Sequence, residues 1–102
     1  MEDPQRQQRM LDKELQHAGQ SLCIQNSDLC DITSMNMDKF LAAYSGPDDK
    51  TIETHYVLAT TWVSWIQANS GDWLAISHLP KIEHMLKEIV IILFIFKMHT
   101  II

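Results

Sequence analysis

The stretch PDDKTIETHYVLATTWVSWIQANSGD, residues 47–72, decides whether this chain is all-helical or mixed. Its apolar residues recur at steps of four, three, four and three, which places them on one face of an α-helix. They are Ile52, Tyr56, Ala59, Val63 and Ile66. Strand-forming residues such as Thr60, Thr61 and Trp62 also occur here, but apolar residues fall at both parities instead of alternating. The stretch therefore predicts a helix that begins at Pro47.

Capping residues predict more helices before this stretch. Asp3 as N-cap with Pro4 at the first helical position predicts a helix to about Ala18 or a few residues beyond. Thr33 or Ser34 is predicted to cap a second helix, which Gly46 and Pro47 end.

After it, WLAISHL, residues 73–79, predicts a short helix closed by Pro80, where a last helix begins. We therefore expect an all-α fold, a compact bundle of about four to five helices forming a single domain over residues 1–102.

The end of the chain, KEIVIILFIFKMHTII, residues 87–102, carries eight consecutive apolar side chains from Ile89 to Phe96. As a helix this segment is apolar all round, so it is predicted to be wrapped by protein or to form an interface. Lys97 and His99 leave it too short to cross a bilayer. Read as a buried strand over residues 88–96, it gives the alternative fold class, α+β.

Two groups of apolar residues are predicted to form an interface with a second protein chain. One is a narrow seam on the first helix and the other belongs to the last helix. The members are Leu11, Leu15, Leu22, Ile89, Leu93 and Phe96. The amount of apolar surface in so small a chain favours burial between subunits, most simply in a homodimer.

The three tryptophans are large apolar side chains that favour cores or binding surfaces. Trp62 is expected in the core. Trp73, directly after an N-cap aspartate, is the one most expected to be exposed, and Trp65 with Trp73 is a possible partner surface.

Charge is unevenly spread along the chain, whose net charge is −5. Residues 14–72 carry eight acids against only Lys39 and Lys50. Such a segment repels phosphate, which makes nucleic acid a poor partner, and a basic protein partner fits better. A solvated acidic surface explains the same pattern without any partner.

Cysteine usage and the N-terminal sequence bear on the compartment. Cys23 and Cys30 match neither a CxxC pair nor a zinc-ribbon spacing, and residues 1–15 contain no apolar run of signal-peptide length. We expect a cytoplasmic protein with free thiols, the alternative being an exported protein with a Cys23–Cys30 disulfide.

No residue pattern indicates catalysis, and no enzyme activity, cofactor or small-molecule substrate is expected. The five histidines are scattered, HExxH and GxSxG motifs are absent, and His84 with Glu88 at i and i+4 supplies only two ligands, so no metal site is expected. The sequence favours an acidic protein-binding module, a regulator, adaptor, inhibitor or specialised chaperone. A membrane-peripheral protein and a DNA-binding transcriptional regulator are the alternatives, although membrane association is not expected.

Overall fold

Five α-helices and one short 3₁₀ turn make up the chain in a computed structural model, which describes residues 4–101, with side chains through Ile95 and at Lys97. The helices are α1 (Pro4–Gln25), α2 (Met37–Ala43), α3 (Ile52–Ala68), α4 (Trp73–Ile76) and α5 (Leu79–Ile101), and the 3₁₀ turn is Ser27–Leu29. The all-α prediction is confirmed. Residues 88–96 are helical, so the α+β alternative with a strand there is wrong.

Helix boundaries differ from the prediction where side chains form local hydrogen bonds. Helix α3 begins at Ile52, not Pro47, because Asp48 Oδ1 accepts hydrogen bonds from the backbone N–H groups of Lys50 and Thr51, each at 2.9 Å. Helix α2 begins at Met37 because the Asn36 side chain accepts from the N–H of Lys39 at 2.8 Å. The predicted cap Asp3 lies outside the described residues.

Helix α3 is the centre of the fold and packs against both α1 and α5. Of the stripe predicted for α3, Ala59 and Ile66 enter the core, but Tyr56 is 54% exposed. The buried face is rotated toward Trp62, which is 1% exposed. Leu22 from α1, Phe40 from α2 and Ile82 from α5 complete the same cluster. The core prediction for Trp62 is confirmed.

The cysteines form a disulfide between the end of α1 and the segment that follows the 3₁₀ turn, with the Cα atoms of Cys23 and Cys30 4.4 Å apart. The expectation of free thiols is therefore wrong. The reason is the chain reversal after Gln25, which a spacing of seven residues does not reveal. Disulfides are typical of oxidising compartments.

A buried lysine fastens the same loop to α5. Lys81 is 3% exposed, and its Nζ donates to the carbonyl oxygens of Met35 and, at 3.3 Å, of Ile32. The Trp62 ring lies 5.7 Å from Nζ, a cation–π distance. Burial lowers the pKa of Lys81. The ammonium thus supplies hydrogen bonds to carbonyl oxygens of a loop that lies outside regular secondary structure.

The core prediction for α3 is tested by Leu58→Ala, because Leu58 is 0% exposed. The cavity left should lower the free energy of unfolding by about 2–5 kcal/mol in urea denaturation. The matched control is Leu93→Ala on α5, where the side chain is 54% exposed and the loss should stay below about 0.5 kcal/mol. Equal losses in the two variants would contradict this core.

The disulfide is tested by thiol titration of the unfolded protein, which should find no free thiol before reduction, since both cysteines are paired. The double variant Cys23→Ser, Cys30→Ser should lose about 2 kcal/mol of unfolding free energy, because the closed loop is short. Two free thiols in protein purified from an oxidising compartment would show that the pair does not form.

Candidate functional site

The outer half of α5 exposes most of its apolar side chains. Up to Ile89 the helix contributes core residues, but beyond it Val90, Ile91, Leu93, Phe94 and Ile95 are between 46% and 63% exposed. No polar residue interrupts residues 89–96. We call these five exposed side chains the α5 apolar surface. Such a continuous exposed apolar patch is characteristic of interaction sites.

The α5 apolar surface exists because α5 is longer than the elements that it packs against. Ile82, Met85 and Ile89 contact the core, and the helix continues for more than two turns past Ile89. Of the two interpretations offered for this segment, wrapping by other helices does not hold for the α5 apolar surface, and an interface stays a prediction. The segment extends from the bundle and is not its central helix.

A depression of about 440 Å³ lies at the inner end of this surface. Leu86, Val90 and Ile91 line it, and Glu83 and Lys87 form its rim, joined by a salt bridge of 3.5 Å. The spacing of three, four, seven and eight residues from Glu83 puts all of them on one helix face. A helix or an apolar side chain of a partner fits such a face, as in helix-in-groove recognition.

The predicted interface residues separate into different environments. Leu22 and Ile89 lie in the chain's own core and are unavailable to a partner, because α3 covers them. Leu11 and Leu15 are half-buried, and Leu93 is exposed. The side chain of Phe96 lies outside the described residues.

The two remaining tryptophans also differ. Trp73 is 83% exposed at the start of α4, next to Leu74, so its predicted exposure is confirmed. Trp65 is half-buried and donates from Nε1 to Asp12 Oδ1 at 2.7 Å, which ties α3 to α1. Its role as a partner surface stays a prediction.

A polar cluster that the sequence analysis missed joins three elements. Tyr44, at the end of α2, bonds through its hydroxyl to His55 Nδ1 of α3 at 2.7 Å, and the His84 ring of α5 packs edge-on against Tyr44. Burial, with help from the Glu88 carboxylate, raises the pKa of Tyr44, while burial lowers the pKa of His55 against a smaller opposing effect of Asp48. In the tautomer with the proton on Nε2, the neutral His55 ring accepts a hydrogen bond from the Tyr44 hydroxyl through Nδ1.

This cluster supplies structure, and its groups do not form a metal site. Across the described residues there is no group of three or more His, Cys, Asp or Glu side chains placed to hold a metal ion. Glu88 lies beside Gly46, whose φ of 86° favours a residue without a Cβ. None of the described helices is both long enough and apolar enough to cross a bilayer.

A model of the family described as TAtT, TRAP transporter T-component, matches residues 1–92. The chain belongs to this family. No curated protein and no solved structure matches it. The family is one of transporter components, not of known enzymes, and a transporter component works together with other subunits.

Membership corrects several predictions made from the sequence. The expected role as a regulator, adaptor, inhibitor or specialised chaperone is wrong, as is the DNA-binding alternative, because the family is a component of a membrane transport system. The cytoplasmic location is also wrong, since the family indicates a periplasmic or membrane-associated one. Neither the homodimer nor the exclusion of a membrane is supported.

The polar cluster predicts how stability depends on pH. Because the pKa of His55 in the folded chain lies below its ordinary value of about 6.5, the neutral ring contributes stability that is complete above about pH 6.5 and is lost as pH falls through the folded-state pKa. His78, whose pKa is lowered by burial and by Lys81, acts in the same direction.

His55→Gln should therefore reduce the loss of unfolding free energy between pH 7 and pH 5, measured by urea denaturation at each pH, since glutamine can still accept from Tyr44 without titrating. The control is His17→Gln on α1, an exposed position whose replacement should leave the pH dependence unchanged. A His55→Gln variant with the full pH dependence would show that this ring is not responsible.

Proposed function

We propose that this chain contacts another subunit of its TRAP transporter through the α5 apolar surface. The observation that carries the proposal is the exposure of five apolar side chains on one helix segment that no polar residue interrupts. Leaving such surface in water is unfavourable, and covering it with a second protein recovers about 25 cal/mol for each Å² removed from water. Family membership supplies the class of partner.

The chemistry of this surface indicates the character of the contact. Phe94 and Val90 are both 63% exposed and carry no polar atom, so a partner gains mainly by excluding water. The Glu83–Lys87 salt bridge at the rim presents one negative and one positive charge to a partner. Such rim charges orient the partner more than they add to its affinity. The complementary partner surface is therefore apolar at its centre and polar at its edge.

A periplasmic location is the second part of the proposal. The Cys23–Cys30 disulfide supports it, because disulfides persist in oxidising compartments such as the periplasm. In this view the whole of residues 1–102 acts as one helical domain, with α1, α3 and the inner half of α5 as its stable part and the outer half of α5 as its contact. Leu93 is the only predicted interface residue that this contact retains among the described side chains.

The α5 contact is tested with Ile91→Asp in the full chain, since Ile91 lines the depression and is 50% exposed. Isothermal titration against the purified other subunits of the same transporter should show at least a tenfold weaker Kd, because a charge would have to be buried at an apolar interface. Circular dichroism should remain that of the unchanged chain.

The matched control is Val57→Asp, the same kind of substitution at a 45% exposed position on α3, and it should bind normally. If both variants bind as tightly as the unchanged chain, the α5 apolar surface is not the contact. If both weaken equally while staying folded, added negative charge and not this surface explains the effect.

A further inference from the structure

A second surface shares no lining residue with the depression on α5. It is a groove of about 380 Å³ between α1 and the segment that follows the 3₁₀ turn. Leu15, the Cys23–Cys30 disulfide and the half-buried Trp65 give it an apolar lining. We call it the α1 groove. Its volume is within the range of sites that hold a small ligand or one or two side chains of a partner.

Gly19 leaves an opening in the wall of the α1 groove. Leu15, Gly19 and Cys23 follow one another at steps of four, so they form a single row along α1. A Cβ built on Gly19 meets no other group within 4 Å. A glycine inside a helix weakens it by about 1 kcal/mol relative to alanine, and nothing in the chain's own packing requires one here. The space accommodates a side chain from outside.

Asp12 gives the groove a charged end. Its Oδ1 accepts two hydrogen bonds, from Trp65 Nε1 at 2.7 Å and from Gln8 Nε2 at 3.0 Å. Both bonds end on Oδ1, and the carboxylate has a second oxygen with further acceptor positions. The Trp65 bond holds the carboxylate in place, so a cation that binds there meets an oriented group.

The charge around the groove selects the sign of the occupant. Among the described residues, Asp12 is the one charged residue that lines it, and neither lysine nor arginine does so, although Lys13 follows Asp12 in the chain. Anions are repelled by such a surface and cations are attracted. An occupant that fits both the apolar lining and the charge carries an apolar group beside a positive one.

We propose that the α1 groove binds a basic segment of a partner protein, with one apolar side chain placed over Gly19 and a lysine or arginine at Asp12. Charge complementarity and the unfilled position at Gly19 select this occupant. The proposal does not depend on the α5 contact, because the two surfaces have no residue in common.

The experiment uses the ¹⁵N-labelled full chain with its disulfide intact and follows the Trp65 indole N–H by NMR, assigned with Trp65→Phe. The probe is a ten-residue peptide of alternating lysine and leucine, compared with one of alternating glutamate and leucine. The lysine peptide should shift the Trp65 signal to saturation, and the glutamate peptide should not. No shift, or the same shift with both peptides, would overturn the proposal.

Two variants locate the binding. Gly19→Leu fills the groove and should weaken the lysine peptide at least about tenfold, while Gly71→Leu, at an equally open glycine outside the groove, should not. Asp12→Asn keeps an acceptor for Trp65 but loses the charge, and should weaken binding about threefold. Tight binding by Gly19→Leu contradicts the proposal, and so does saturation of the Trp65 shift by lysine amide alone, which would indicate a site for small amines.

The variant Ile91→Asp distinguishes peptide binding in the α1 groove from peptide binding to the α5 apolar surface. That variant should keep the full Trp65 response, so failure of the α1 groove and failure of the α5 contact give different results. Loss of the Trp65 response in Ile91→Asp would overturn the independent groove.

Discussion

The rest of the structure depends on the packing of α3 between α1 and α5. Neither outer helix has another long helix to cover its apolar face, and both bury that face on α3. Trp62 is the clearest sign of this arrangement, because its ring is enclosed in the core and also lies beside the Lys81 ammonium and the His78 ring. The α1 groove, which Trp65 of α3 helps to line, and the α5 apolar surface are formed by different residues around this packing.

Helical spacing predicts the fold from the sequence but does not predict its surfaces. The repeat along α3 identifies a helix and part of its buried face, Ala59 and Ile66, because an amphipathic helix encodes burial in its own period. It misplaces the rest, since Tyr56 is exposed and Trp62 is buried. Residues 89–96 carry no such period, since every position is apolar, so nothing in that segment distinguishes core from exposed surface. Its exposure depends on where α1, α2 and α3 end, which is a property of the whole fold. The same dependence on the whole fold explains why Leu22 and Ile89 are buried in the core while Leu93 is exposed.

The polar interactions in the interior were hidden for a different reason. Lys81 and the carbonyl oxygens of Ile32 and Met35 are separated by more than 45 residues, and Tyr44 meets His55 and His84 only after α2, α3 and α5 have assembled. From its sequence position between Pro80 and Ile82, near the start of a helix, Lys81 would be expected to be exposed. The one indication in the sequence that Lys81 is buried was its position next to Ile82, which belongs to the apolar face of α5. The disulfide is similar, because chain reversal after α1 sets the distance between the cysteines.

Energetics indicate why one exposed face is not enough for a stable complex. Fully burying a large apolar side chain contributes about 1.5–3 kcal/mol, and the five residues of the α5 apolar surface have roughly half of that left to gain, about 4–7 kcal/mol together. Association of two proteins costs an estimated 4–15 kcal/mol before any contact contributes. The α5 apolar surface alone therefore supports only weak binding. A lasting association within a transporter requires either further apolar contact along α5 or a second point of attachment. Where both attachments engage one assembly, the first raises the effective concentration for the second, so two weak contacts hold more firmly than either alone.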